Sequence, residues 1–334
     1  MDTLANRFDT VMDVSESTLS DILRARWSKS TIESYRKDWK RFAQWAVNNH
    51  VYEYPVHENT MVNYLVWMHE QHFAKSTIRR TVTVVRMLHN ASNDPTLARS
   101  VTEVMRGIAR KDRREPGKAH PLSIADLMAI CDALTAKNSA YEYWRIPRDI
   151  ALLTLGWCGA LRASEIVALN WNDITEAQQG FELTIRKSKT SDESEILGIP
   201  LLKDTYQSIC PVRSLRLWKN NCELLNLQLP TISSNRRTGI PANGDLPIFV
   251  NLYGNRLCQK TVGRILDVSA KKAKLNLHLS SHSLRRGFAT FAAHSGISER
   301  SLMRHGRWHT SSIMQGYIER AAIWNDNPIV QLLT

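Results

Sequence analysis

The pair of residues best suited to chemistry in this sequence is His282 and Arg285, three positions apart in His282-Ser283-Leu284-Arg285. Side chains three apart on a helix share a face. Leu284, Phe288, Phe291 and Ala292 recur beside them at helical spacing. The pattern therefore predicts a packed helix, with His282 and Arg285 on the edge of its buried stripe. A guanidinium beside an imidazole at the start of such a helix suits an oxyanion such as phosphate. Taken alone, the pair also fits an ordinary, partly exposed helix face. The stretch runs on through Gly306-Arg307-Trp308 to Tyr317. Upstream, Arg162 and Glu165 are again three apart. That spacing by itself describes a helical ion pair of little energetic value. Its place directly after an apolar helix and a Gly turn argues instead for an arginine held by rigid backbone. A third basic group, Arg186-Lys187-Ser188-Lys189-Thr190-Ser191, lies between two strand-like runs. A lysine on a hairpin tip can reach into a cleft, although a solvated turn is the simpler reading of that segment.

These groups need elements to position them. In the C-terminal half, Pro121-Leu122-Ser123 opens a helix burying Leu127, Ile130, Cys131 and Leu134. A strongly apolar helix from Ile146 to Cys158 follows, with Gly159 as its C-cap. Phe181 to Ile185 alternates, and Glu195 to Ile199 can pair with it as a hairpin. Residues 211–226 are helical, 227–247 form a loop, and Arg256 to Leu275 is a basic helix.

The N-terminal half has no convincing strand. Short helical stretches are expected from Ser17 to Arg26 and from Thr96 to Ala109, with a longer helix from Ser30 to Asn48. Ile32, Tyr35, Trp39, Phe42 and Trp45 or Ala46 line one face of that helix, and Lys37, Lys40 and Arg41 lie opposite. After the Tyr54-Pro55 break comes a helix with Met61, Tyr64, Leu65 and Met68 inside. Another opens near Ser76 and buries Ile78, Val82, Val85 and Leu88. Lys75, Arg79, Thr83 and Arg86 form its polar stripe, with Ser76 and Arg80 alongside. The result is a helical bundle. Its two basic faces could each lie in a DNA major groove, although exposed Lys and Arg usually mean a solvated surface. Trp39, Trp45 and Trp67 fit the apolar stripes and read as core. Arg110 to Lys118 contains a Pro-Gly pair and no leucine, valine, isoleucine or aromatic residue, and marks the domain boundary.

Composition narrows the function classes. A chain of 334 residues with 43% hydrophobic and 23% charged residues is an ordinary globular protein of about two domains. Its formal charge of +12 favours a polyanionic partner, nucleic acid above all. No apolar run is long enough to span a membrane, and Met1 to Asp13 lacks a signal pattern. Cys131, Cys158, Cys210, Cys222 and Cys258 are scattered and odd in number, without CxxC spacing. They read as reduced thiols in the cytoplasm, with no zinc site and no disulfide framework.

Taken together, the motifs resemble those of the tyrosine recombinases, the phage integrase family, and most closely its phage Cre-type members. The resemblance rests on Gly159-Ala160-Leu161-Arg162-Ala163-Ser164-Glu165, Lys187-Ser188-Lys189-Thr190, His282-Ser283-Leu284-Arg285, Gly306-Arg307-Trp308 and Gln315-Gly316-Tyr317, in order and spacing. It covers the C-terminal half well. The N-terminal half matches in layout, with local likeness around Lys75 to His89. The implied fold is mainly α with a small β-sheet, an N-terminal helical bundle plus an α+β catalytic domain forming a clamp around DNA. The implied map is a flexible arm over 1–15, a DNA-binding bundle over 16–110, a linker over 111–120, a catalytic domain over 121–324 and a tail helix over 325–334 exchanged between subunits.

The resemblance also implies roles. Arg162 and Arg285 would clamp the scissile phosphate. Tyr317 would be the nucleophile, His282 a proton acceptor and phosphate partner, and Lys189 the general acid, a better match than Lys187, which stays open. Trp308 fills a slot nine residues before Tyr317, whereas His305 is twelve before it and is only a neighbour. Glu165 would orient Arg162 or His282. Lys37, Lys40, Arg41, Lys75, Ser76, Arg79, Arg80, Thr83, Arg86 and Lys260 are the candidate DNA contacts. The implied activity is strand cleavage and rejoining at specific sites through a 3′-phosphotyrosyl link, with topoisomerase IB-like chemistry. Arg and Lys cover the developing charge, so no metal or cofactor is expected. The partners are double-stranded DNA and the chain itself: a free monomer, a dimer on one site and a tetramer in synapsis, with no membrane. The setting is the cytoplasm of a bacterium or phage host, on the nucleoid. The alternatives are an integrase or transposase of a mobile element, or a DNA-binding protein that has lost catalysis.

Overall fold

The structure is a computed structural model that describes residues 27–89, 93–112, 119–136, 144–186, 194–224, 246–308 and 310. The arm, the Ser17–Arg26 stretch, most of the Arg110–Lys118 boundary, the 227–245 part of the loop and the tail lie outside them. The chain divides into two compact units, 1–118 and 119–334.

All regular elements among the described residues of the first unit are helices. It holds α1 (Lys29–Asn48), α2 (Glu58–Glu70), α3 (Lys75–Leu88) and α4 (Arg99–Lys111). Ser28 caps α1 through its hydroxyl, which accepts from the Thr31 N–H. Trp39, Phe42, Trp45, Met61, Tyr64, Leu65, Met68, Ile78, Val84 and Val85 form its core. Phe42 meets Tyr64 edge-on at 5.0 Å, and Trp67 stacks on Tyr64 at 5.5 Å. The tryptophans are therefore packing residues, as their spacing predicts. The helix expected from Thr96 is broken instead. Asp94 captures the Thr96 N–H at 2.8 Å and closes a tight turn over Pro95–Leu97, and Ala98 is extended before α4 begins.

Asp38 is the organising polar group of this unit. It is fully buried on α1 and accepts from Arg41 at 3.0 Å and from Arg80 of α3. A buried carboxylate without such partners would be unfavourable by several kcal/mol. Arg80 therefore joins α3 to α1, and Arg41 supplies a second partner from Asp38's own helix.

The second unit is built around α6 (Arg145–Cys158), in which every residue from Arg148 to Trp157 is buried. It is flanked by α5 (Ile124–Ala136), the short α7 (Ala163–Ala168), α8 (Pro211–Leu224), α9 (Gln259–Lys272), α10 (His282–His294) and α11 (Glu299–Gly306). Thr154 of α6 meets the Ser214 hydroxyl of α8 at 2.8 Å. Trp157 donates its indole N–H to the Leu122 carbonyl at 2.9 Å. Arg148 and Asp149, also buried on α6, pair with each other at 2.6 Å, and Arg148 donates to the Val250 carbonyl at 2.9 Å, so the buried polar side chains of this helix are matched.

A three-stranded antiparallel sheet runs β1 (Ile174–Ala177), β2 (Gly180–Ile185), β3 (Glu195–Pro200), in that order. The β2–β3 hairpin is the one the alternation predicts. β1 escapes prediction because its burial is one-sided and slight, with three of its four residues exposed. Gly159 is the C-cap of α6, as expected, and the left-handed residue that follows it is Ala160, at φ 46°. One further expectation needs correction. The basic helix begins at Gln259 rather than Arg256, because Arg256 is spent on the Val167 and Leu169 carbonyls at 2.7 and 3.2 Å.

Candidate active site

The two arginines predicted to hold phosphate are brought together at the C-terminal end of α6. Arg285 is buried on the first turn of α10 and donates to the Ala160 carbonyl at 2.5 Å. Its guanidinium also lies 4.2 Å from the centre of the Trp308 ring, a distance at which cation–π attraction operates. Arg162 is the N-cap of α7, partly exposed, and pairs with Glu165 at 2.5 Å. The Glu165 carboxylate also accepts from the Arg162 N–H at 2.9 Å and from Arg307 at 3.1 Å.

Glu165 is thus a buried carboxylate between two guanidinium groups. Burial pushes its pKa up, but Arg307, the Arg162 N–H and the Arg162 side chain outweigh burial and hold it below the ordinary carboxylate value. It is ionised at neutral pH and fixes Arg162 in one orientation. The bland reading of this pair, a surface ion pair, fails on the 3% side-chain exposure of Glu165.

His282 opens α10, open to solvent on one side and shielded on the other. Desolvation first, and then Arg285, Arg162 and Arg286, hold its pKa below the ordinary 6.5. The ring is therefore neutral at pH 7 and able to accept a proton. The sign for stability follows. As pH falls below the unfolded-state value, the unfolded chain takes up a proton that the folded chain resists, so stability drops. For activity, the acid limb of the rate of DNA cleavage is expected below pH 6.5, and His282→Gln is expected to remove it. A limb that stays in place in that variant would rule His282 out as its source.

His305 has a different task. Its Nε2 donates to the Cys158 carbonyl at 2.7 Å, and the ring stacks on Phe288 at 4.5 Å. It closes the end of α6.

Trp308 is buried, and its seat depends on Gly306. A Cβ at Gly306 would stand 1.7 Å from the Trp308 ring, so the indole can fold back only over a glycine. Phe291, predicted as part of the buried stripe, is 40% exposed; Leu284, Ala289 and Ala292 carry the stripe instead.

Lys189, its alternative Lys187, and Tyr317 lie outside the described residues. The base of the hairpin that carries the lysines is anchored: Arg186 pairs with the buried Asp173 at 2.5 Å. Among the candidate DNA contacts, Lys37, Lys40, Ser76, Arg79, Thr83, Arg86 and Lys260 are exposed. Arg41 and Arg80 are committed to Asp38, Arg86 donates to Thr96 at 3.0 Å, and Lys75 reaches the Ala109 carbonyl at 3.3 Å.

This geometry sits in a recognisable family. The phage integrase family profile matches residues 123–322, and the N-terminal SAM-like domain of phage integrases matches residues 19–92. The chain belongs to the phage integrase family, the tyrosine recombinases. An integrase/recombinase XerD homologue of Selenomonas ruminantium is 29% identical over 90% of this chain and 84% of its own length. The recombinase Cre of Escherichia phage P1 is 23% identical over 93% and 90%. Among solved structures, the XerH site-specific recombinase bound to palindromic difH substrate in a post-cleavage complex aligns with a TM-score of 0.62, at 15% identity, over 88% of this chain and 80% of that one. The lambda integrase fragment 75–356 bound to DNA aligns at 0.58, with 15% identity, over 98% and 99%. These likenesses establish the recombinase fold: mostly helical, with a small antiparallel sheet.

One residue that touches this recombinase's site carries no sequence signal strong enough to single it out. Arg307 reads as a surface arginine in a turn between Gly306 and Trp308. In the structure it is buried beneath Arg162. The other hidden participants are backbone carbonyls of residues 158–160, which no side-chain pattern reveals.

Proposed function

We propose that this chain is a site-specific DNA recombinase that cuts and rejoins strands through a covalent 3′-phosphotyrosyl intermediate on Tyr317. The observation that carries the reading is the convergence of Arg162, Arg285 and a neutral His282 at the end of α6, with both arginines fixed from behind by buried partners.

Cleavage of a phosphodiester spreads negative charge over the non-bridging oxygens. Two fork-shaped guanidinium donors, unable to deprotonate, stabilise that charge. A preorganised donor of this kind commonly contributes about 3 kcal/mol. Tyr317 attacks phosphorus as its phenolic proton passes to His282. The bond to the 5′ oxygen breaks, and Lys189 supplies the proton to that oxygen. One phosphoester is exchanged for another, so a second strand's 5′ hydroxyl can reverse the step. Trp308 keeps Arg285 in place by stacking on it.

In this reading, the exposed Lys37, Lys40, Ser76, Arg79 and Thr83 of the N-terminal bundle and Lys260 of α9 contact DNA. The domain map is the one set out from the sequence, and the 325–334 tail passes to a neighbouring subunit in a tetramer on two sites.

The test needs no metal and no cofactor. A duplex recovered by binding selection from a random library, nicked near its centre, is incubated with the protein, and the denatured products are digested with protease. A DNA-linked peptide containing Tyr317 is expected. Tight, specific binding without any covalent product would instead mark a silent DNA-binding protein, and a link to another residue would displace Tyr317.

A further inference from the structure

We infer that Arg307 is a positioning residue of the active site, acting through Glu165 and Arg162. The inference rests on the recombinase reading above and adds to it a residue with no assigned role.

Arg307 is 5% exposed and sits in the left-handed backbone region, at φ 55° and ψ 48°. Residues other than glycine, asparagine and aspartate seldom adopt that conformation, and where they do the strain is often tied to function. Its guanidinium makes four hydrogen bonds. It donates to the His305 carbonyl at 2.9 Å, to the Gly159 carbonyl at 3.2 Å, to the Ala160 carbonyl at 3.4 Å and to the Glu165 carboxylate at 3.1 Å. Its Nε is buried without a hydrogen-bond partner. A strained, buried cation with an unfilled donor is a poor stabilising device. It makes sense as a device that fixes geometry.

What it fixes is legible. Its guanidinium holds the Glu165 oxygen that is not bound to the Arg162 side chain, so the carboxylate cannot rotate away from Arg162. Its own carbonyl accepts from Arg162 at 3.4 Å, a long contact that adds direction more than strength. It shares the Ala160 carbonyl with Arg285. The same turn seats Trp308 on Arg285. One three-residue turn, Gly306-Arg307-Trp308, thereby sets both arginines of the clamp relative to each other. It also stands ten residues before Tyr317, so it joins the clamp to the segment that bears the nucleophile.

The test is a double-mutant cycle in single-turnover cleavage of the nicked duplex, using the full chain. The variants are Arg307→Gly, Arg307→Lys, Arg162→Ala and the double Arg307→Gly with Arg162→Ala. Glycine removes the side chain and also relieves the backbone; lysine keeps a cation but not the fork. Arg307→Gly is expected to lower the cleavage rate about 100-fold, the scale of one preorganised donor. DNA affinity is expected within about two-fold of wild type, and Arg307→Lys is expected to fall between. The double variant is expected to cleave no more slowly than Arg162→Ala alone, because a residue acting through Arg162 has nothing left to position. Wild-type cleavage by Arg307→Gly or Arg307→Lys overturns the inference. So do losses that multiply in the double variant, or a cleavage loss matched by an equal loss of thermal stability and DNA affinity. If the wild-type chain itself forms no covalent product, the recombinase reading fails first, which keeps the two failures distinct.

Discussion

Replacing Glu165 by alanine is expected to destabilise the C-terminal unit by about 3–5 kcal/mol, the usual effect of stripping one partner from a buried ion pair. The carboxylate is 3% exposed, and one of its two cations, Arg307, is equally enclosed at 4%. Alanine would leave that cation in the interior with carbonyl dipoles alone. Arg162, at 26% side-chain exposure, can turn toward water and loses less. Glu165→Gln keeps the shape and one acceptor oxygen and is expected to fall between alanine and wild type. The pH dependence has a definite sign. The folded carboxyl lies below its unfolded value, so its contribution is complete above the unfolded value and disappears as pH falls through the folded one. Chemical denaturation at neutral pH and in mild acid measures both effects. A loss under about 1 kcal/mol for Glu165→Ala would show that the second unit holds the arginines by other means.

Gly287→Ala is expected to be the most damaging of all single-methyl additions in α10. Helix propensity alone argues the reverse, since alanine is favoured over glycine inside a helix by about 1 kcal/mol. Packing decides the sign. A Cβ at Gly287 would lie 1.9 Å from the Leu122 carbonyl oxygen and 2.8 Å from both its carbon and the Trp157 indole nitrogen. The first two are backbone atoms and cannot step aside. That same carbonyl accepts the Trp157 N–H, so moving it breaks a buried hydrogen bond as well. Together a loss of about 3 kcal/mol is expected, with α10 displaced from α6. Because His282 and Arg285 ride on α10, cleavage is expected to fall even at temperatures where the variant stays folded. Thermal melting and single-turnover cleavage read the two consequences separately, and a more stable Gly287→Ala protein would contradict the close approach.

Periodicity was the strongest guide to this molecule. The helical stripes of α1, α2, α5 and α6 are wide and regular, and their core residues follow from spacing; in α3 and α10 spacing errs at single positions, since Val82 is only partly buried while Val84 is buried, and Phe291 is exposed. The β2–β3 hairpin follows from alternation. β1 does not, because a strand with one partly buried residue leaves no pattern to detect. The start of α9 is misjudged because Arg256 looks like the first residue of a basic helix, and only the fold shows it reaching back to carbonyls of the preceding segment. Within the site, Arg162, Glu165, His282, Arg285 and Trp308 are nameable because several motifs recur together in order. Their spacing cannot show that Glu165 has two cations rather than one. Nor can it separate Arg41 and Arg80, which serve Asp38, from Lys37 and Arg79 on the same helices. That distinction depends on one buried aspartate, and a lone aspartate on an amphipathic helix gives no warning of its burial.

The end of α6 has a further consequence. The carbonyls of Cys158, Gly159 and Ala160 receive His305, Arg307 and Arg285 from three positions far along the chain. A helix turns by about 100° with each residue. Inserting or deleting a single residue anywhere within α6 would swing that whole set of acceptors out of phase with its donors. α6 contributes no side chain to the chemistry, yet its length works as a ruler. Substitutions that preserve volume along it are tolerable, while a change of one residue in its length would misalign both halves of the phosphate clamp at once.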